Sequence, residues 1–456
     1  MKDNKTGRQY PNAVSNQTII KRNHMKIHWH EYSDTTSQTP ISKACLAEKA
    51  SVIGRLGIMM LSCGTGAWRV RSSMNELSEL MHITCTVDIG LMSINYTCLD
   101  GNNSFSQSLC LTNTGVNTSQ LNRLENFVSD FKTKHITQSC DVIHSELDEI
   151  ERIHGLYSPL ALALSAALAC SAFTFLLGGG IVEMLCAFVG AGIGNYVRCQ
   201  LSRHHLTLFL CITSSVTISC LTYTLLLKIL EIIFSVNLLH EAGYICSMLF
   251  IIPGFPFITS GIDLAKLDMR SGTERLIYSM LIITVATMTA WILAIFLGLK
   301  PVSFLPIHLA LWQWIFLRLL SSFLGVFGFS IMFNSPIPLA ISAGIIGAIS
   351  NTIRLEFIDI FSLPPAVCAF LGAFLAGILA SLLKGKSGYP RISITVPSIV
   401  IMVPGLYLYK GFYNLGIMNL TIAASWLASA LLIILALPLG LIFARIITDK
   451  TFRYCT

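Results

Sequence analysis

Glu183 is the only carboxylate set well inside an apolar run, "GGGIVEMLCAFVG" (178–190), and Asp263 closes a second apolar stretch, "IIPGFPFITSGIDL" (251–264). An ionisable side chain in such a setting is costly in lipid and is by default a candidate for function, here proton or cation coupling. Asp263 could pair with Arg198, Lys266 or Arg275 as a gate, or sit as a solvated interfacial charge. Glu183 could equally serve a buried arginine or a backbone donor. The second stretch also carries Pro253-Gly254 in its middle, where Pro removes a backbone donor and breaks the helix. Backbone groups freed inside lipid are tolerated only where protein or a water-filled cavity meets them. Half-helix ends at that depth offer amides, carbonyls and dipole ends to a zwitterionic ligand; the plainer reading is an ordinary proline kink.

Other chemistry-bearing residues are less organised. Cys63, His82 and Asp88 could be imagined as a thiol hydrolase, yet no nucleophile motif or metal spacing accompanies them. Fourteen cysteines occur with no C-x-x-C pair, and Cys170, Cys186, Cys211, Cys220, Cys246 and Cys368 fall in apolar runs, as small packing residues of a reducing compartment would. His28 to His30, "HWH", could bind a metal but read as part of a solvated arm. The residues call for no cofactor or metal.

The elements that must position these residues follow from composition. The chain has 456 residues, is 53% hydrophobic and 12% charged, with a mean hydropathy of +0.66. Soluble domains carry about a quarter charged residues, so this composition predicts an integral membrane protein. The net charge of +7 does not point to nucleic acid, because Lys and Arg fall between apolar blocks and form no basic face. The predicted organisation is a disordered polar tail (1–39), a cytoplasmic α+β head (40–155) and two transmembrane bundles (156–300 and 301–456). The first forty residues lack the apolar core of a signal peptide, so the head is expected in the cytoplasm.

In the head, Thr39-Pro40 predicts a helix start and Gly64 its stop. Alternation at Ile83, Cys85, Val87 and Ile89, then at Met92, Ile94 and Tyr96, predicts two strands, with a further one near 105–111. Two amphipathic helices follow, one with Leu121, Leu124, Val128 and Phe131 on a face, the other with Ile143, Leu147 and Ile150.

A helix needs about 20 apolar residues to cross a bilayer, and ten blocks between 157 and 446 qualify or nearly do. With the head inside, both termini are cytoplasmic. Arg198, Arg203, Lys266, Arg270, Arg275, Lys384, Lys386, Arg391, Arg445, Lys450 and Arg453 then fall inside, against Lys300, Arg354 and Lys410 outside. That is a positive-inside bias. Arg318, within the sixth block, is expected to snorkel.

"FVGAGIGNYVR" (188–198) and "GIIGAISNTIR" (344–354) share Asn195/Asn351 and Arg198/Arg354 at constant offset, each ending the second block of a set of five. "IIPGFPFITSG" and "IMVPGLYLYKG" (401–411) echo each other in the fourth blocks. Five spans per set force the copies into opposite orientation, the inverted-repeat plan of many secondary transporters. The candidate binding residues are therefore Pro253, Gly254, Phe255, Pro256, Thr259, Pro404, Gly405, Tyr407, Asn195 and Asn351. The coupling or gating candidates are Glu183, Asp263, Arg198, Arg275 and Arg354.

The order of "GRLGIMMLSCGTGAWRVRSSMNEL", "PGFPFITSGIDLAKLDMRSGTERL", "FGFSIMFNSPIPLAISAGIIGAISNTIR" and "TVPSIVIMVPGLYLYKG" resembles the threonine/serine exporter family over about 43–449. The long polar arm and the cysteine- and aromatic-rich helices depart from the commoner pattern. The resemblance implies a ten-span bacterial inner-membrane exporter of threonine and serine, driven by the proton gradient, with a cytoplasmic head. Its partners would be a small amino acid, protons, the lipid bilayer and, as an option, further copies of itself. Some relatives split the two modules between chains and handle small dicarboxylates such as succinate, which stays open as a substrate class. A passive channel, or a membrane-anchored hydrolase acting through the head, are the rivals of other classes.

Overall fold

The structure is a computed structural model that describes residues 27–33, 39–153, 155–234, 238–301, 304–387 and 389–453. Most of the polar tail, 1–26 and 34–38, lies outside the described residues. Buried apolar side chains fall into two clusters, one drawn from Ile41 to Ile150 and one from Ala166 to Leu441.

The N-terminal unit is built on α1 (Leu46–Ser62), buried at every position from 48 to 61. The expected start at Thr39-Pro40 yields only a 3-10 turn at Ile41–Lys43. Cys45 takes the cap because Glu48, three residues on, accepts its backbone N–H at 3.2 Å. Helix α2 (Ala67–Leu80) precedes an antiparallel sheet of β1 (Thr84–Ile89), β2 (Ser93–Asp100) and β3 (Asn103–Cys110), in that spatial order. Alternation turns Ile94, Tyr96 and Cys98 inward onto α1 and leaves Thr and Ser outside. Gly54 is tolerated in mid-helix because the Tyr96 ring crosses it; a Cβ there would lie 2.3 Å from the Tyr96 hydroxyl. Helices α3 (Thr118–Asp130) and α4 (Cys140–Arg152) close the unit.

The "HWH" segment is not a free arm. Trp29–Tyr32 forms a helical turn, and His30 lies with Nδ1 2.6 Å from Asp141 and Nε2 3.3 Å from Asp148. Asp148 also takes the buried Arg55 guanidinium. The hydrogen bond to Asp141, with Asp148 behind it, holds His30 above its ordinary value of 6.5, while burial and Arg55 push the neighbouring His144 down to about 3. A raised folded-state pKa contributes stability that is complete below the unfolded value and lost as pH rises through the folded one. His30→Ala is therefore expected to lower the melting temperature at about pH 5.5 and to change little at about pH 9. An equal shift at both pH values would remove the charged contact from the account.

Eight helices are long and apolar enough to cross a membrane: α5 (Pro159–Leu176), α6 (Ile181–Arg203), α7 (Leu208–Phe234), α10 (Met269–Leu297), α11 (Leu311–Met332), α12 (Ile337–Phe361), α13 (Pro365–Ser387) and α16 (Leu420–Thr448). Two bent pairs bring the number to as many as ten among the described residues. The first joins α8 (Tyr244–Ser247) and its 3-10 extension to α9 (Gly254–Ala265) with a 52° bend; the second joins α14 (Arg391–Ile399) to α15 (Gly405–Gly416) with a 45° bend. Leu225, Ile232, Phe296 and Leu431 are exposed on the outward faces, as lipid permits and water does not.

Backbone geometry recurs between the two halves of the bundle. Pro253 and Pro404 cap α9 and α15 with φ, ψ of −79°, 60° and −82°, 56°. Leu267 and Met418 then take left-handed φ of 63° and 61°, and α10 and α16 follow with 29 residues each. Gly178 and Asn334 likewise turn the chain with positive φ before α6 and α12. The halves meet closely at α5 and α11, where a Cβ on Gly328 would lie 2.6 Å from the Ser165 carbonyl oxygen. Small residues of this kind let helix backbones approach in lipid. Arg318 has acid partners in the bundle: Glu356 at 2.8 Å and Asp359, both on α12, hold it over the Trp314 ring.

Candidate functional site

Both prolines of the first break sit where a helix has no use for an N–H. Pro253 is the cap of α9 and Pro256 lies in its first turn, where backbone donors have no intrahelical acceptor. Pro404 caps α15 in the same way. The two breaks pack on each other reciprocally. A Cβ on Gly254 would lie 2.5 Å from Val400 Cγ2 and 3.2 Å from Val403 Cγ2, and one on Gly405 would lie 1.9 Å from Ile252 Cδ1 and 3.2 Å from Leu249 Cδ2. Each glycine thus seats the partner segment at equivalent positions. Phe255 packs edge-on against Phe333 at 5.4 Å, and Thr259 returns its hydroxyl to the Phe255 carbonyl at 3.1 Å. Tyr407 stands edge-on to Trp426, while Tyr409 is buried and shares a 2.5 Å hydrogen bond with Tyr244 across the two pairs.

Asp263, near the end of α9, is fully buried at the seam between the N-terminal unit and the bundle. Its Oδ2 accepts from the Ala67 backbone N–H at 3.1 Å and the Ser271 hydroxyl at 3.0 Å, and faces Arg275 Nε at 3.3 Å. Arg275 donates onward to the carbonyls of Gly64 at 3.0 Å and Thr65 at 2.6 Å. A carboxylate from the bundle therefore caps α2, and an arginine from the bundle satisfies the loop before it. Of the three cations proposed as partners for Asp263, Arg275 is the one that meets it. Gly66 is required there, since a Cβ would lie 2.5 Å from Asp263 Oδ1. Arg71 and Asp268 add an ion pair across the same seam.

Beside this seam lies a cavity of about 290 Å³, lined on the N-terminal side by Trp68, Arg69 and Glu125 and on the bundle side by Asp263, Arg391 and Arg445. That is the lower end of the size range of ligand pockets, roughly 300–1,000 Å³. Arg69 is neutralised by Glu125 at 2.6 Å. Arg445 stacks between Trp68 and Phe452, 4.3 and 4.2 Å from their ring centroids. Arg391 donates to Thr448 Oγ1 at 2.7 Å and the Gly377 carbonyl at 2.9 Å.

The remaining candidates lie elsewhere. Glu183 is in the first turn of α6, where Oε2 accepts the Gly180 N–H at 2.9 Å and Oε1 meets His240 Nδ1 at 2.7 Å. His240 precedes α8 while Asp263 ends α9, so the two carboxylates occupy opposite ends of the first broken pair. Asn195 and Asn351 are buried equivalents that tie α6 to the Leu162 carbonyl of α5 at 2.9 Å and α12 to Ser322 of α11 at 2.8 Å. Asn351 also accepts from Arg354 Nε at 3.0 Å. Among the described residues no ion pair involves Arg198. Cys63, His82 and Asp88 do not assemble: His82 is exposed, Asp88 pairs with Arg270, and burial pushes the Cys63 thiol up to about 12. Trp68, Arg69, Arg391, Arg445 and the loop at 64–67 escape a sequence reading, because four distant segments meet there with no shared period.

Long apolar helices wrapped around two broken ones define a multi-pass integral membrane protein. A family model described as "Putative threonine/serine exporter" matches residues 51–297, and a second, described as "Threonine/Serine exporter, ThrE", matches residues 318–447. The chain belongs to the threonine/serine exporter family, whose members are transporters and not enzymes. No curated protein and no solved structure matches it.

Proposed function

We propose that the protein exports threonine and serine across the bacterial inner membrane by alternating access, driven by the proton gradient. The N-terminal unit is a cytoplasmic head in this reading, both termini are cytoplasmic, and α5–α10 and α11–α16 are inverted repeats. The observation that carries it is the reciprocal seating of Gly254 on Val400 and Val403 and of Gly405 on Leu249 and Ile252. Two broken helices that cross as equivalents form a natural rocking element near midplane. The placement of Arg391, Arg445 and Arg275 beside the N-terminal unit supports its cytoplasmic side, by the preference of cations for that face.

Counterflow in proteoliposomes with labelled threonine, serine and succinate, with and without an imposed pH gradient, tests it. Exchange of threonine and serine that is accelerated by the gradient is the expected result. Exchange of succinate alone would favour dicarboxylate export, and flux indifferent to the gradient would remove proton coupling.

A further inference from the structure

The seam cavity combines a carboxylate oxygen that no donor meets with an excess of arginine. Asp263 commits Oδ2 to Ala67, Ser271 and Arg275, whereas Oδ1 is buried with no hydrogen-bond partner. A buried oxygen of a charged group left without a donor is costly, and a native structure needs a reason to keep one. The same cavity is lined by Arg391 and Arg445, which share the carboxylate of Asp449: it lies 3.4 Å from Arg445 Nε and acts electrostatically on Arg391, whose hydrogen bonds go to a hydroxyl and a carbonyl. Arg69, by contrast, already has Glu125. One carboxylate oxygen without a donor and two arginines that share a single acid, lining one small cavity, match a ligand that carries both charges itself.

We propose that this cavity is the binding site through which the free α-amino acid enters from the side of the N-terminal unit, its ammonium on Asp263 Oδ1 and its carboxylate on Arg391. The site is composite: Trp68, Arg69 and Gly66 come from the N-terminal unit, and Asp263, Arg391 and Arg445 from the bundle. Because the same Asp263 carboxylate also caps α2 through Ala67, the ligand and the N-terminal unit share one anchor. A dicarboxylate would bring no cation to Asp263, and an amine without a carboxylate would bring no anion to Arg391.

The inference deepens the exporter reading and rests on it, and binding to the purified full-length protein separates the two. Threonine, threonine methyl ester and 3-hydroxybutyrate are titrated against the unmodified protein, Asp263→Asn and Arg391→Gln. Threonine is expected to bind the unmodified protein at least tenfold more tightly than either analogue, and each substitution is expected to weaken threonine binding at least tenfold. Asp263→Asn keeps an acceptor for Ala67 and Ser271, and Arg391→Gln lies on the far wall, so one variant remains informative if the other misfolds. Unchanged threonine affinity in either folded variant overturns the site, as does the absence of threonine binding by the unmodified protein. Threonine counterflow that persists undiminished in both variants overturns the site and leaves the exporter reading standing. Intact binding without counterflow supports the site and overturns the exporter reading.

Discussion

Gly405→Ala is expected to lower threonine counterflow about tenfold with the protein still inserted, and Ile252→Val in the same chain is expected to restore most of it. The added Cβ would lie 1.9 Å from Ile252 Cδ1, and overpacking a tight contact costs roughly 1–3 kcal/mol. Each 1.4 kcal/mol or so is a factor of ten in a rate. The strain falls on conformations in which the two breaks touch, so it acts on the transport cycle more than on insertion. Ile252→Val deletes the methyl carbon that collides and by itself costs about 0.5–1.5 kcal/mol. Gly254→Ala meets Val400 Cγ2 at 2.5 Å, a stiffer neighbour because its β-branched side chain has little rotamer freedom. It is therefore expected to be at least as damaging. Normal transport in Gly405→Ala, or no recovery on adding Ile252→Val, would show that the crossing is only scaffold.

Arg275→Met is expected to release the N-terminal unit from the bundle. Removing one partner of a buried ion pair costs about 3–5 kcal/mol, because the charge left behind is uncompensated. Here the loss is wider, since the carbonyls of Gly64 and Thr65 give up their donors as well. Limited proteolysis should then cut the loop at 64–66, which is buried in the unmodified protein. Asp263→Asn in the Arg275→Met background should recover part of the stability by removing the stranded charge. Non-additivity of that pair is the signature of direct coupling. Equal protease resistance in Arg275→Met and the unmodified protein would reduce the pair to a surface detail.

The sequence carries the strongest signals where local chemistry decides the outcome. Pro253-Gly254 and Pro404-Gly405 mark helix starts by their own backbone constraints, and alternation at Ile94 and Tyr96 marks a half-buried strand. Asn195 and Asn351 are visible as a pair because they repeat, although their bonds go to α5 and α11 and not to the breaks. The seam is legible only in part. Asp263 and Arg275 are suspicious as ionisable groups beside apolar runs, but nothing local announces that Gly66 and Ala67 will cover them. Arg391 and Arg445 look like ordinary topology signals at the ends of spans, and their shared cavity is a product of packing between residues far apart in the chain. The start of α1 fails for a local reason: Glu48 competes for the cap and moves it to Cys45.

The two broken helices share a backbone and not a polarity. The position that holds Asp263 on α9 is Asn414 on α15, and the position that holds Thr259 is Lys410, whose ammonium lies over the Trp426 ring. With an anion built into one arm and a cation into the other, a zwitterion carried through the proposed cycle would meet different charges at the two ends of its path, so the two half-reactions need not have the same affinity, while the direction of net flux stays with the gradient.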